Sequence, residues 1–559
     1  MANSKTLAAH RQARLPIPKD FASHRDVLAF YDNRYYSLIE AGDAVPFTYP
    51  FAAVGALFVL AALLVDYRRS RARRLGSYVA FGVMCCFQVW TIATNRARNP
   101  AASFGVGLVS AFGIMWTAAI MIFNDCQRDF RRIERAEDRA LAGGGKVQGN
   151  GHADKGLANG SAEVSGGENA VRQRRATKEV VETATKGPTQ RQGPLIWQAY
   201  PEGPMIERLD WIADVFCSFR GVGWTWQSSG IPKPPTWVEA QLSGDTEAIE
   251  KAEDVKVSRT GIRRFSDRRA LLKACLINLA IGYVVLDAIK TLGIHDKYMW
   301  YGDMSLPPPD FLPDLIKNSF VLTKYYRLLV CLCAINLALW AIFKMGPVFF
   351  VGILGPKFVG VRGEAWVNPA DMFGDFTHVL DSGLAGWWGA WWHQTFRFAF
   401  QQPGDFLVRS LGLKPRSVGG KLVSTWVAFF LSGVLHASGS YTQLGDTRPI
   451  TGPLAFFLSQ ALGVTVQTAL VQVLKLDRIF PKSVRQAANL VIVAVWMYFT
   501  APLLVDDFAR GGIWLFEPVP FSIFRGLGLG PEGERCWCWY GRIVEWRSGM
   551  SWWDTGIAL

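Results

Sequence analysis

Eight blocks of mostly apolar residues, each near the length that crosses a bilayer, constrain this chain more than any other feature. A helix rises about 1.5 Å per residue and the hydrocarbon layer is about 30 Å thick, so a span needs roughly 20 such residues. The blocks are 47–65, 75–94, 101–123, 271–289, 325–343, 422–437, 454–474 and 487–505. A ninth apolar stretch, 345–361, holds Gly346, Pro347, Gly352, Gly355 and Pro356. Such residues break a regular helix, so this stretch is expected to be re-entrant or interfacial. The expected fold class is therefore an all-α polytopic membrane protein of about eight transmembrane helices plus re-entrant or interfacial helices. Composition agrees: only 19% of the 559 residues are charged and half are hydrophobic, against about 25% charged in soluble domains. A disordered chain, a collagen and a small disulfide scaffold are excluded.

The blocks divide the chain. Residues 1–46 are polar and lack the apolar core of a secretory signal, so the first span is expected to direct insertion. Residues 47–123 hold the first three spans. Residues 124–194 read as a charged helix (124–139) followed by a linker poor in aromatics, which is expected to be disordered. Residues 195–268 regain Trp and Ile and are expected to fold on the membrane surface. Together with the later spans they form a unit over 195–505, and 506–559 is a C-terminal segment. Arg68, Arg69, Arg71, Arg73 and Arg74 crowd the short loop 66–74, which places that loop in the cytosol. Alternation then puts 124–270, 344–421 and 475–486 on the same side, with both termini lumenal. The net charge of +14 is explained by such basic loops, so no nucleic-acid partner is expected. The expected location is an integral, multi-pass position in the endoplasmic reticulum.

Only seven His are present. His10, His24 and His152 lie in polar stretches and are expected to be solvated. His295 follows a span, and His378, between Asp375 and Asp381, is accounted for by a surface ion pair. His436 is different, because it lies inside an apolar helix. An ionisable group there is costly unless it faces a polar cavity. Ser432 stands four residues earlier on the same helical face. The plainer alternative is a packed histidine bonded to a backbone carbonyl. His393 sits within Trp387-Trp388-Gly389-Ala390-Trp391-Trp392-His393-Gln394-Thr395-Phe396-Arg397, in a stretch (375–400) too polar to count as a span. Arg397, four residues on, would share a helical face with it; an interfacial aromatic anchor is the alternative. A desolvated imidazole stays neutral near pH 7 and can act as a general base.

Other signals are weak. The nine Cys include Cys331-x-Cys333 and Cys536-x-Cys538, which lack zinc-site spacing, so no metal is expected; a Cys536–Cys538 disulfide would be strained. Gly528-x-Gly530-x-x-Gly533 follows no expected strand and contains Pro531. No G-x-S-x-G elbow occurs, and no H-x-x-x-x-D motif follows either histidine, since Phe398 and Tyr441 hold those positions.

Two stretches resemble signatures of fungal wax-synthase-domain proteins of the membrane-bound O-acyltransferase superfamily, of the secondary-metabolite acetyltransferase type. One is Arg208-Leu209-Asp210-Trp211 with Ser218-Phe219-Arg220-Gly221-Val222-Gly223-Trp224-Thr225-Trp226. The other is Trp388-Gly389-Ala390-Trp391-Trp392-His393-Gln394-Thr395-Phe396-Arg397. Phe429-Phe430-Leu431-Ser432-Gly433-Val434-Leu435-His436 then resembles the histidine helix of the same superfamily. The resemblance covers about 195–505 and implies an enzyme, an acyl-CoA-dependent O-acyltransferase. His436 would be its catalytic base, and His393 would stand where other branches carry Asn. It further implies acetylation of a terpenoid or meroterpenoid alcohol, with acetyl-CoA or another acyl-CoA as co-substrate and no permanently bound cofactor. Trp392, Gln394, Arg397, Ser432, Lys414 and Arg416 are the expected substrate- and CoA-binding residues. The cations suit CoA phosphates, although each is also accounted for as a cytosolic loop residue. The expected partners are the lipid bilayer, acyl-CoA and a hydrophobic alcohol. Two other functions remain open: a long-chain acyl-CoA:fatty alcohol or sterol acyltransferase, and a transporter. The absence of repeated halves favours an enzyme.

Overall fold

The computed structural model describes residues 16–136, 193–244, 254–539 and 544–559. His10, His152 and nearly all of the expected linker lie outside them. A polar helix, α1 (His24–Glu40), opens the described chain. Ser23 caps it by accepting from the amide of Asp26, whose carboxylate accepts from the amide of Ser23.

The apolar blocks are helical. They form α2 (Val54–Leu64), α3 (Arg71–Thr94), α4 (Pro100–Met121), and, after a surface helix α5 (Met205–Cys217), α6 (Arg268–Ile294) and α7 (Phe320–Pro347). Two shorter helices follow, α8 (Thr377–Gly386) and α9 (Arg397–Ser410), then α10 (Val418–Thr442), α11 (Ala455–Val473), α12 (Lys482–Thr500) and α13 (Pro502–Arg510). Among the described residues six helices are long and apolar enough to cross a membrane, or seven if α12 and α13, bent by 41°, make one span. The first expected span is the one that falls short. Its apolar helix runs only Phe51–Leu64, because residues before it are extended: β1 (Thr48–Tyr49) pairs with the C-terminal strand Gly556–Ala558.

The stretch 345–361 departs from expectation in an instructive way. Gly346 and Pro347 do not end α7, which continues as a wider π-helical turn through Val348–Leu354. Pro347 removes one backbone donor, and the looser i→i+5 pattern absorbs the loss. The break comes at Gly355, whose φ of +70° favours glycine.

The expected charged helix after residue 124 is also replaced. It stops at Asp129, and β2 (Arg132–Arg135) pairs antiparallel with β3 (Leu195–Gln198). Arg132 is buried and its guanidinium reaches Asp210 Oδ2 (2.6 Å) and Asp214 Oδ2 (3.1 Å) on α5. Trp211, fully buried, packs edge-on against Tyr200 and Trp224. The Arg-x-Asp-Trp segment thus ties the surface unit together, and Arg208 Nη1 reaches the Leu64 carbonyl of α2 at 3.5 Å. His24 is another correction: it is not solvated but 3% exposed, with Nε2 3.1 Å from Glu534 Oε1.

Helix α10 is positioned by its crossing with α4. Ser103 Oγ donates to the Thr442 carbonyl and Thr442 Oγ1 to the Ser103 carbonyl, both at 2.6 Å. A Cβ on Gly107 would come within 1.9 Å of the Ser438 carbonyl oxygen, and one on Gly439 within 2.6 Å of the Phe104 ring. Only a helix pair with small residues at this contact can approach so closely. Gly107→Val is therefore expected to destabilise the protein by about 1–3 kcal/mol or more through overpacking, seen as a lower melting temperature in detergent. An unchanged melting temperature would contradict this crossing.

Candidate active site

His436 sits deep in α10. Its ring stacks on Phe457 (4.8 Å between centroids, 18° between planes) and lies 6.1 Å from Phe104. His393 belongs to a different local structure from the one its spacing suggested. Helix α8 runs into a π-turn, Trp387–Trp391, and the chain is then non-helical until α9 begins at Arg397. His393 therefore lies in a loop, and the shared helical face expected for His393 and Arg397 does not exist.

Gln394 explains the break. Its side-chain amide donates to the carbonyls of Trp388 (3.1 Å) and Trp392 (2.6 Å), and its Oε1 accepts from Arg397 Nη1 (2.9 Å). These bonds close the turn and compete with helix continuation. Gln394, expected to bind substrate, is buried and spends its amide on its own loop. The loop is anchored further by Trp388 Nε1, which donates to Gln460 Oε1. On α8, the Leu384 amide donates to Gln467 Oε1, and Gln467 donates to Asn489.

The loop carries His393 to the side of α10. Trp392 and Phe396 flank its ring at 5.5 and 5.7 Å, and Phe373 meets it edge-on. A continuous aromatic wall joins the two histidines: Phe457 packs on Trp388 (5.8 Å), and Trp388 on Trp392 (5.8 Å). Burial, then the neighbouring His436 and Arg220, pushes the His393 pKa below its ordinary value, so the ring is neutral at pH 7. Neither imidazole forms a hydrogen bond among the described residues, and both Nδ1 atoms are enclosed without a partner. Buried polar atoms are rarely left so. The carbonyl bond of the plainer alternative for His436 is absent among the described residues; the ring packs on Phe457 instead.

Ser432 lies one turn before His436 and is half-buried, with no hydrogen bond among the described residues. Arg397 donates to the Gly389 carbonyl and to Gln394, and Arg259 stands nearby. Lys414 and Arg416 are not brought to the histidines. They are exposed in the turn between α9 and α10, and His436 is 18 residues into α10, about 27 Å along its axis. Among the described residues His378 makes no ion pair; its Nε2 meets the Arg259 carbonyl at 3.0 Å. His295 caps α6 and meets the Leu529 carbonyl. Cys536 and Cys538 are free thiols.

Three contributors were not singled out from the sequence: Phe104 and Phe457, which look like any apolar residue of a span, and Arg220. A cavity of about 440 Å³ lies elsewhere, lined by Lys19, Asp303, Asp446, Arg448, Asp506 and Arg510. Its three cations and three carboxylates balance, and neither candidate histidine borders it.

Residues 369–459, which contain both histidines, match the model of the membrane bound O-acyl transferase family. The match covers this segment alone. Acetyltransferase eriL of Hericium erinaceus is 31% identical over 158 residues, covering 28% of this chain and 40% of that protein. O-Mevalon transferase yanI of Aspergillus niger is 22% identical over 317 residues, 53% of this chain and 61% of its own. Acetyltransferase ple2 of Rhodocybe pseudopiperita is 26% identical over 277 residues, 49% and 59% respectively. The chain thus spans 40% to 61% of the length of these curated relatives. No solved structure matches the chain.

Proposed function

We propose that this chain is a membrane-bound O-acyltransferase that moves an acetyl group from acetyl-CoA to a hydroxyl of a terpenoid-like alcohol. The observation that carries the reading is the pair of unbonded imidazoles, His393 and His436, on one aromatic wall inside the helix bundle. A neutral imidazole there takes the proton of a lipophilic alcohol, and the alcohol oxygen attacks the thioester carbonyl. The second imidazole hydrogen-bonds the carbonyl oxygen as charge develops on it. The aromatic walls exclude water, which favours transfer over hydrolysis and suits an apolar acceptor. Names of relatives that include acetyltransferases support the short acyl group; the terpenoid acceptor follows from the resemblance of the signatures.

The test is expression in microsomes with radiolabelled acetyl-CoA and a panel of hydroxylated terpenoids, beside radiolabelled palmitoyl-CoA with fatty alcohols and a sterol. The expected result is a labelled terpenoid acetate. Labelled long-chain esters alone would replace this reading by the wax- or sterol-ester one, and no acyl transfer from either donor would contradict an acyltransferase.

A further inference from the structure

We propose that Arg220 is a further catalytic residue, the donor that holds the negative charge formed on the acyl carbonyl oxygen as the hydroxyl attacks. The proposal rests on the acyltransferase reading above.

Arg220 is fixed in a tight turn. The Gly221 amide donates to the Ser218 carbonyl (3.1 Å), Trp224 to Gly221 (2.9 Å) and Ser228 to Arg220 itself (3.0 Å). Gly221 has φ +62°, and a Cβ there would come within 2.5 Å of the Trp226 ring. This turn is built into the wall around His393. Phe219 packs edge-on to Phe112 (4.9 Å), Phe112 on Phe396 (4.5 Å), and Phe396 lies beside His393. Arg220 also joins His393 through a second route. Its Nη1 donates to the Asp371 carbonyl at 3.2 Å, and two residues on, the Phe373 ring meets the His393 ring.

That one bond is the only hydrogen bond of the Arg220 guanidinium among the described residues, although the group has five N–H donors. The Asp371 carboxylate is engaged by Lys344, whose side chain is fully buried and whose Nζ lies 3.4 Å away. Among the described residues no carboxylate lies within ion-pair distance of Arg220, although the charge on Asp371 still acts on it. Burial lowers its pKa to about 10, which leaves it protonated at neutral pH. Arg220 is half-buried, and a desolvated cation with spare donors is stabilised by negative charge delivered to it. The pantetheine arm keeps the phosphates of CoA many bonds from the thioester. If the thioester is at His393, the phosphates lie beyond the reach of Arg220, and the charge it meets is the one on the carbonyl oxygen.

In the step, His436 takes the hydroxyl proton as the new O–C bond forms. The carbonyl π pair moves onto oxygen, facing the Arg220 N–H groups. The pair then returns, the C–S bond breaks, and the CoA thiolate leaves and takes the proton from the His436 imidazolium. The products are an ester and CoA.

The experiment compares the wild type with Arg220→Gln using two donors, acetyl-CoA and S-acetyl-N-acetylcysteamine, which lacks phosphates. The expected result is a fall in kcat of about 10²–10³-fold with both donors, and little change in KM for acetyl-CoA. In Arg220→Ala, added guanidinium is expected to restore part of the rate, which a merely structural role would not allow. A defect with acetyl-CoA that vanishes with the truncated donor would make Arg220 a phosphate reader and overturn the proposal; so would an active variant beside an active wild type. If Arg220→Gln does not accumulate, Arg220→Lys carries the same two-donor comparison. A wild type inert toward both donors would sink the acyltransferase reading itself, and the role of Arg220 with it.

Discussion

His436→Ala is expected to lower acetyl transfer between about 10² and 10⁴-fold, the share that a positioned general base supplies, while the protein still accumulates in the membrane. Both halves of the expectation follow from the surroundings of the ring. It makes no hydrogen bond among the described residues, so removal breaks no network. What is lost is packing on Phe457 and Phe104, a cost of a few kcal/mol in a helix also held by the Ser103–Thr442 exchange. The base itself has no substitute nearby: Ser432 is too weak a base, and His393 faces the same enclosure with its charging opposed by Arg220. Radiolabelled transfer normalised to protein on a blot reads the result. Unchanged transfer would remove His436 from the chemistry.

For His393→Ala a fall of about 10²–10³-fold is expected, the scale of losing one preorganised donor to a developing oxyanion. The loss should appear in kcat and leave KM for acetyl-CoA nearly unchanged, because the ring touches the reacting end of the donor. His393→Asn is expected to retain more activity than His393→Ala, since an amide can still donate. Loss of the ring also opens a gap beside Trp392 and Phe396, so melting temperature is measured alongside. Wild-type kinetics in His393→Ala would reduce His393 to an aromatic-belt anchor.

The spans were legible because bilayer thickness fixes their length, and no tertiary contact is needed to read it. His436 stands out in the sequence for a similar reason: an ionisable ring in an apolar helix differs from its neighbours. The failures are as physical. The helical spacing of His393 and Arg397 misled, because the Gln394 side chain ties back to Trp388 and Trp392 and stops the helix between them. Strand β2 was read as helix because its partner, Leu195–Gln198, stands about 60 residues on. His24 read as solvated because Glu534, which buries it, lies in the distant C-terminal segment. Lys414 and Arg416 read as cations for the CoA phosphates from chain order alone; they stand at the far end of α10 from His436. Arg220 stands in its signature, but its spare donors depend on a distant contact, the Asp371 carboxylate lying beside Lys344.

A structure of the protein with a non-transferable acetyl-CoA analogue, a ketone in which a methylene replaces the thioester sulfur, tests most directly whether the two rings share one acyl site. The expected density puts the analogue's carbonyl between the His393 and His436 rings, with its oxygen toward Arg220 and the CoA arm leading out along the surface unit. An acyl end bound at another cavity, or either ring turned outward to lipid, would contradict the account.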